Sequence, residues 1–310
     1  MSNFIQNHGD VNDAWWDDFA ILLKGCMFCG PDQKSGNYNN SLKIKEVLGR
    51  FPYKHIYLFC MPKSGSSFLT ATIRELTGFK VVYSKYSVAG QNENLYLPNM
   101  LLTLNTNSFD KNHMHATDAN MGLIDLFSIH PIILVRNIFD VLISYYDHLN
   151  MDRVKKTASY SGQANMAFLN FINERYYDLS DETKLDMLVD MAAPWYIKFY
   201  VSWYDKTIAR GGDSLWITYE EFISNKIETV QKMLEIYKIE KSNTEIMAVL
   251  RMINKNKELH TFRQTADLDF FKVFFEPTRY DLVEFISVNP NLSIGEIAEA
   301  FKQDRSVISR

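Results

Sequence analysis

Short apolar runs alternate with longer stretches in which apolar positions recur every three or four residues, and this alternation dominates the chain between His55 and Tyr219. His55 to Met61 and Pro131 to Arg136 are almost continuous in apolar and aromatic side chains, the composition of strands buried on both faces. Phe79 to Ser84 and Ser214 to Tyr219 read as further strands, and Ser108 to Ala116 alternates enough to be a strand end. Helical spacing is carried by Phe68 to Leu76, by Asp118 to Phe127 behind a Thr117 cap, and by Ile138 to Leu149. Two longer helical stretches lie near Asn165 to Tyr177 and Asp181 to Ile208. Helices at Ala14 to Lys24 and Leu42 to Leu48 lead in, and Gly90 to Asn99 reads as a loop. Strands alternating with helices, without hairpin signals between them, predict an α/β fold, a P-loop-like parallel sheet flanked by helices. Ligands of such sheets bind beyond the carboxyl ends of the strands, where Lys63, His113, Arg136 and Tyr219 all fall.

The junction between the first strand and its helix carries the strongest chemical signal. Pro62 lacks a backbone donor, Gly65 permits unusual dihedrals, and Ser64, Ser66 and Ser67 are small hydroxyl residues that start helices. Strand, tight turn and helix together aim backbone N–H groups and the positive end of a helix at one spot, and Lys63 adds a full charge. The arrangement suits a phosphate, although a Pro-Lys-Ser-Gly turn can also be an ordinary surface connection. It differs from the common nucleoside-triphosphate loop, in which the lysine follows the second glycine; here Lys63 precedes Gly65.

A second signal is Arg136 with Ser144, separated by about two helical turns, so that a guanidinium at a strand end and a hydroxyl on the next helix can close on one anion. The competing reading pairs Arg136 with Asp140 and leaves Ser144 bonded to its own helix. Taken together, Pro62-Lys-Ser-Gly-Ser-Ser-Phe68, Lys111-Asn-His113 and Val135-Arg-Asn-Ile-Phe-Asp-Val-Leu-Ile-Ser144 resemble the cytosolic-type sulfotransferases that use 3'-phosphoadenylyl sulfate (PAPS). The resemblance covers roughly residues 50 to 225 in the family's order. It implies that Ser64, Gly65, Ser66 and Ser67 hold the 5'-phosphate, that Lys63 meets the charge on the leaving oxygen, and that Arg136 and Ser144 hold the 3'-phosphate. It further implies His113 as the base, Lys111 as a second charge stabiliser, and Tyr219, in Ile217-Thr-Tyr-Glu-Glu221, near the adenine. His115 competes with His113 for the base, since one pleat of register would exchange them. The family's late Arg-Lys-Gly loop has no clear counterpart, and Arg263 is the nearest cation.

Composition narrows the class further. The chain has 310 residues, a formal charge of -4 and three cysteines, which fits a single large domain with a small appendage and speaks against a nucleic-acid coat or a polybasic anchor. No apolar run reaches the roughly 18 residues of a membrane helix, and the start of the chain lacks signal-peptide regions, so cytoplasmic residence is expected. Cys26 and Cys29 have knuckle spacing without a second pair, so no metal is expected. Residues 1–265 are read as the sulfotransferase domain. Residues 266–310 form a small all-α appendage resembling the start of an ArsR-type winged helix-turn-helix, with mixed charge that favours a helical cap or homodimer element over DNA binding. The expected partner is a small-molecule or glycan acceptor bearing a hydroxyl. A DNA-binding regulator with a nucleotide-sensing α/β domain and a P-loop kinase are the rival readings.

Overall fold

The computed structural model describes residues 45, 46, 48–86, 93–151, 174–209 and 214–255. Its central strand, β1 (His55–Cys60), is buried from Ile56 onward. It is followed by α1 (Ser66–Thr77), β2 (Lys80–Val82), β3 (Lys85–Tyr86), β4 (Asn94–Leu95), α2 (Leu97–Leu102) and β5 (Ser108–Asn112). Next come α3 (Asp118–Leu126), β6 (Ile132–Val135), α4 (Ile138–Leu149), a 3-10 turn at Glu174–Asp178, α5 (Asp181–Met191) and α6 (Ala193–Ala209). The described chain ends with β7 (Leu215–Thr218), α7 (Tyr219–Ser224), α8 (Lys226–Ile236) and α9 (Asn243–Asn254).

Five strands pair in parallel in the order β2-β5-β1-β6-β7, so β1 lies between the strands that lead to His113 and to Arg136. Strand side chains alternate between faces. Ile56, Leu58 and Cys60 meet Leu69 and Ile73 of α1 and Val230 and Met233 of α8, whereas Tyr57, Phe59 and Met61 meet the layer of α4, α5 and α6. On the second face the Phe59 ring lies 4.5 Å from that of Trp203. Burying this run from 56 to 61 removes enough apolar surface to contribute on the order of 10 kcal/mol before conformational entropy is set against it. The parallel α/β sandwich expected from the pattern is the observed one.

Local chemistry explains the boundaries. The Thr117 hydroxyl accepts from the Asn120 N–H and starts α3, and the Asn137 side chain accepts from the Phe139 and Asp140 N–H groups and starts α4. The long stretch expected from Asp181 to Ile208 is two helices broken at Ala192, because Pro194 has no N–H to continue the ladder and can only sit in a first turn. The expected loop at Gly90 to Asn99 contains β4 and the start of α2, and β4 pairs with β3 in an antiparallel ladder. Capping boxes at Thr218 with Glu221 and Ser242 with Glu245 open α7 and α9. The tail from 266 to 310, Arg263, Cys26, Cys29, the helix at Ala14 to Lys24 and most of the stretch from Asn165 lie outside the described residues. Among the described residues no helix is long and apolar enough to cross a membrane.

Candidate active site

The turn after β1 is fixed from beneath. The Met61 N–H donates to the Leu134 carbonyl of β6 at 3.0 Å, and the buried Ser64 donates from both its N–H and its hydroxyl to the Met61 carbonyl, at 3.3 and 2.5 Å. Lys63 adopts a left-handed backbone at φ 66, unusual for a residue with a Cβ, and Gly65 does so at φ 83. Gly65 precedes α1 without a side chain to cap it, which leaves the N–H groups of the first turn, on Ser66 and Ser67, directed at the rim. Ser66 is buried there and Ser67 is exposed.

Arg136 and Tyr219 close over the same turn. The Arg136 Nη1 donates to the Lys63 carbonyl at 2.8 Å, and its guanidinium carbon lies 4.1 Å from the centroid of the Tyr219 ring. Its Nη2 stands 4.0 Å from the Asp140 carboxylate, the outer limit of an ion pair. A Cβ added to Gly65 would meet Tyr219 Cδ2 and Cε2 at 2.9 Å, so turn, ring and guanidinium form three touching layers. Ser144 is buried on α4, two turns beyond Arg136. From the other side of the turn, the Tyr196 hydroxyl donates to the Pro62 carbonyl at 3.4 Å.

His113 follows β5, next to the end of β1. Its Nδ1 lies 2.7 Å from the Cys60 carbonyl, which can only accept, so Nδ1 carries the proton and Nε2 keeps the lone pair. Burial, then the Lys111 ammonium, lower the imidazole to about 4, with Glu93 opposing them, so the ring is neutral at pH 7. Cys60 joins this group to the phosphate-type turn. Burial pushes its thiol up to about 11, while the Lys111 charge and a contact from the Ser66 hydroxyl oppose the rise. Lys111 pairs in register with Leu58 and lies on the face of the sheet that carries α1. His115 is elsewhere: its Nε2 lies 3.2 Å from the Trp195 carbonyl and its ring 4.9 Å from the Trp195 ring, against α6.

Lys63, Lys111, His113, Arg136 and Tyr219 therefore stand at the carboxyl ends of β1, β5, β6 and β7, along one edge. Two further residues of this edge went unread in the sequence. Lys85 and Glu93 form an ion pair at 2.6 Å with side chains only 11% and 8% exposed, and Glu93 also accepts the His113 N–H. Nothing local to Asn92-Glu-Asn94 distinguishes that glutamate from a loop residue. Among the described residues no group of three or more metal-ligating side chains gathers.

A model of the sulfotransferase domain family matches residues 53–267. A mouse sulfotransferase, SULT7A1, solved in complex with PAP, superposes with a TM-score of 0.52 at 15% identity, covering 84% of this chain and 93% of its own, a likeness of fold. Retinol dehydratase, solved with androsterone and the inactive cofactor PAP, superposes with a TM-score of 0.49 at 13% identity over 82% of this chain and 86% of its own. A search of curated proteins finds no match.

Proposed function

The chain belongs to the sulfotransferase domain family, and we propose that it takes PAPS as its donor, with His113 the base and Lys63 and Lys111 the charge stabilisers of sulfuryl transfer to an acceptor hydroxyl. The observation that carries this assignment is the 2.7 Å bond from His113 Nδ1 to the Cys60 carbonyl, which leaves Nε2 as an acceptor on a ring held at the end of the strand that leads into the Lys63 turn. The turn fits a phosphate: the glycine admits no Cβ, two left-handed residues flank Ser64, and the first-turn amides of α1 are uncapped.

When bound, the donor supplies the sulfuryl group and a bisphosphate leaving group. His113 Nε2 takes the proton of the acceptor hydroxyl as its oxygen bonds to sulfur, and neutrality at pH 7 makes the ring ready to do so. The Lys63 ammonium meets the charge that grows on the bridging oxygen as the sulfur–oxygen bond breaks, and Lys111 meets the charge on the sulfuryl oxygens. Ser64, Gly65, Ser66 and Ser67 hold the 5'-phosphate, with Ser64 acting mainly by shaping the turn through Met61. Arg136 and Ser144 hold the 3'-phosphate, Tyr219 borders the adenine, and Arg263 is assigned as the late cation on sequence grounds alone. His115 is disfavoured as the base because its Nε2 already meets the Trp195 carbonyl.

The acceptor is a small molecule or glycan with a hydroxyl, and the enzyme works in the cytoplasm. The domain boundary near residue 265 is supported by the family match, which ends at 267, and the sequence of residues 266–310, outside the described residues, is read as resembling part of a winged helix, suited to capping or to homodimer formation. The kinase and DNA-regulator readings draw no support from that match. Radiolabelled PAPS offered with phenols, alcohols and sugars tests the assignment. Adenosine 3',5'-bisphosphate (PAP) should raise the melting temperature without magnesium; stabilisation by ATP with magnesium alone would reverse the reading. Salt-sensitive DNA binding in a gel shift would promote the regulator.

A further inference from the structure

We infer that the buried Lys85–Glu93 pair is a positioning device for the base, clamping the backbone on both sides of Asn112 so that His113 presents Nε2 to the rim. The inference rests on the reading of His113 as the base. Glu93 Oε2 accepts the His113 N–H, while its Oε1 accepts from Lys85 Nζ at 2.6 Å, and the same Nζ donates to the Lys111 carbonyl at 3.2 Å. The two charges thus hold the carbonyl before Asn112 and the amide after it.

The geometry explains why a clamp is needed. The Lys111 carbonyl and the His113 amide face the β2 side of β5, as the Asn107 carbonyl does, and β2 pairs with β5 only as far as Asp110, opposite Val82, so both groups lie beyond the ladder that would otherwise hold them. Without a partner that amide could rotate, and the ring with it, away from the Cys60 carbonyl. The short β3–β4 ladder has a role in this scheme: it pairs Lys85 with Leu95 and sets Glu93 at the head of β4. It is pinned in turn, with the Asn99 side chain donating to the Lys85 carbonyl at 3.1 Å and the Leu95 N–H donating to Asn120 at 3.0 Å.

A buried ion pair is a costly way to make two backbone hydrogen bonds, since desolvation cancels much of its attraction, and an apolar pair would fill the space as well. Its directional advantage is that a carboxylate accepts two bonds at once and an ammonium donates several. Glu93 and Lys85 therefore act through His113 and Lys111 without touching the reacting atoms.

The test compares Glu93→Ala with Glu93→Gln, whose amide oxygen can still accept the His113 N–H. Long-range proton–nitrogen spectra of imidazole-labelled protein at pH 7 read the His113 tautomer directly. The wild type should show a proton on Nδ1 alone. Glu93→Ala should mix the tautomers and lower kcat roughly 10- to 100-fold with little change in KM for PAPS, and Glu93→Gln, which keeps the acceptor for the His113 N–H but not the one for Lys85, should recover part of both. The double variant Lys85→Met with Glu93→Gln leaves no lone buried charge, so it keeps the comparison open should Glu93→Ala not fold. It should retain the Nδ1–H tautomer. A folded Glu93→Ala protein with wild-type tautomer and kcat overturns the inference, as does a folded double variant in which the tautomer is lost. Wild-type protein that neither binds PAP nor transfers the sulfuryl group would instead overturn the functional reading, and the tautomer comparison is read without turnover.

Discussion

Replacing Gly65 with alanine tests the layered turn most directly. Two costs are legible. The residue sits at φ 83, where an L side chain is strained by about 1–2 kcal/mol. The new methyl would also stand 2.9 Å from two Tyr219 ring carbons, against an ordinary contact of 3.4–4 Å, so the ring must retreat by about half an ångström or more. That retreat weakens the stack of Tyr219 on Arg136, an interaction worth about 0.5–1 kcal/mol or more once desolvated. If the free turn relaxes while the bound turn must hold its shape, about 2–3 kcal/mol appears as roughly 30- to 140-fold weaker binding of PAP. Isothermal titration of PAP into Gly65→Ala, Tyr219→Ala and the double variant separates the terms. The double variant should regain the steric share and keep the backbone share. Wild-type affinity in Gly65→Ala, or strictly additive losses in the double variant, would refute the argument that ring and turn are in contact.

Other outcomes follow from the same geometry. His113→Ala should lower transfer by about 10²–10⁴-fold while the melting shift from PAP survives, as expected for a lost general base; retained turnover would move the base elsewhere. Arg136→Lys should weaken PAP binding, since an ammonium cannot both reach the Lys63 carbonyl and stack on Tyr219, and unchanged titration curves would contradict that. Stability should fall on acidification below about pH 6.5. His55 and His113 are each held near 4 by burial, so the unfolded chain binds their protons first, and the loss continues until the folded values are reached. Melting temperatures from pH 7 to 5 read this slope, and His55→Gln should flatten it. Leu58→Ala should cost about 2–5 kcal/mol in urea unfolding, because the side chain is wholly buried in the central strand.

Much of this was readable before any coordinates, and the reason is locality. Ile138 to Leu149 declares itself through apolar spacing, and its observed limits are the expected ones. β1 and β6 declare themselves because strands covered on both faces need no polar positions. Pro194 was visible, yet the aromatics running from Trp195 to Tyr204 made one long helix look continuous. Thr218 and Ser242, each three residues before a glutamate, announce α7 and α9, two helices absent from the expected elements. The partners of the site residues were not readable. Arg136 spacing suggested Asp140 or Ser144, whereas its 2.8 Å bond goes to the Lys63 carbonyl, 73 residues away. Glu93 meets His113 only because a ladder of two residues folds back on β5, and so short a ladder has no periodicity to detect.

The sheet order has one more consequence. His113, Lys63, Arg136 and Tyr219 follow β5, β1, β6 and β7, which are consecutive neighbours, so at a strand spacing of about 4.8 Å the edge measures about 14 Å from first to last. The strands set the order of the backbone stations, while the Arg136 and Tyr219 side chains lean back over the β1 turn. On the proposed residue roles the reactive end of the donor would point toward β5 and its base toward β7, and a molecule docked in the reverse sense would bring the wrong phosphate to each station.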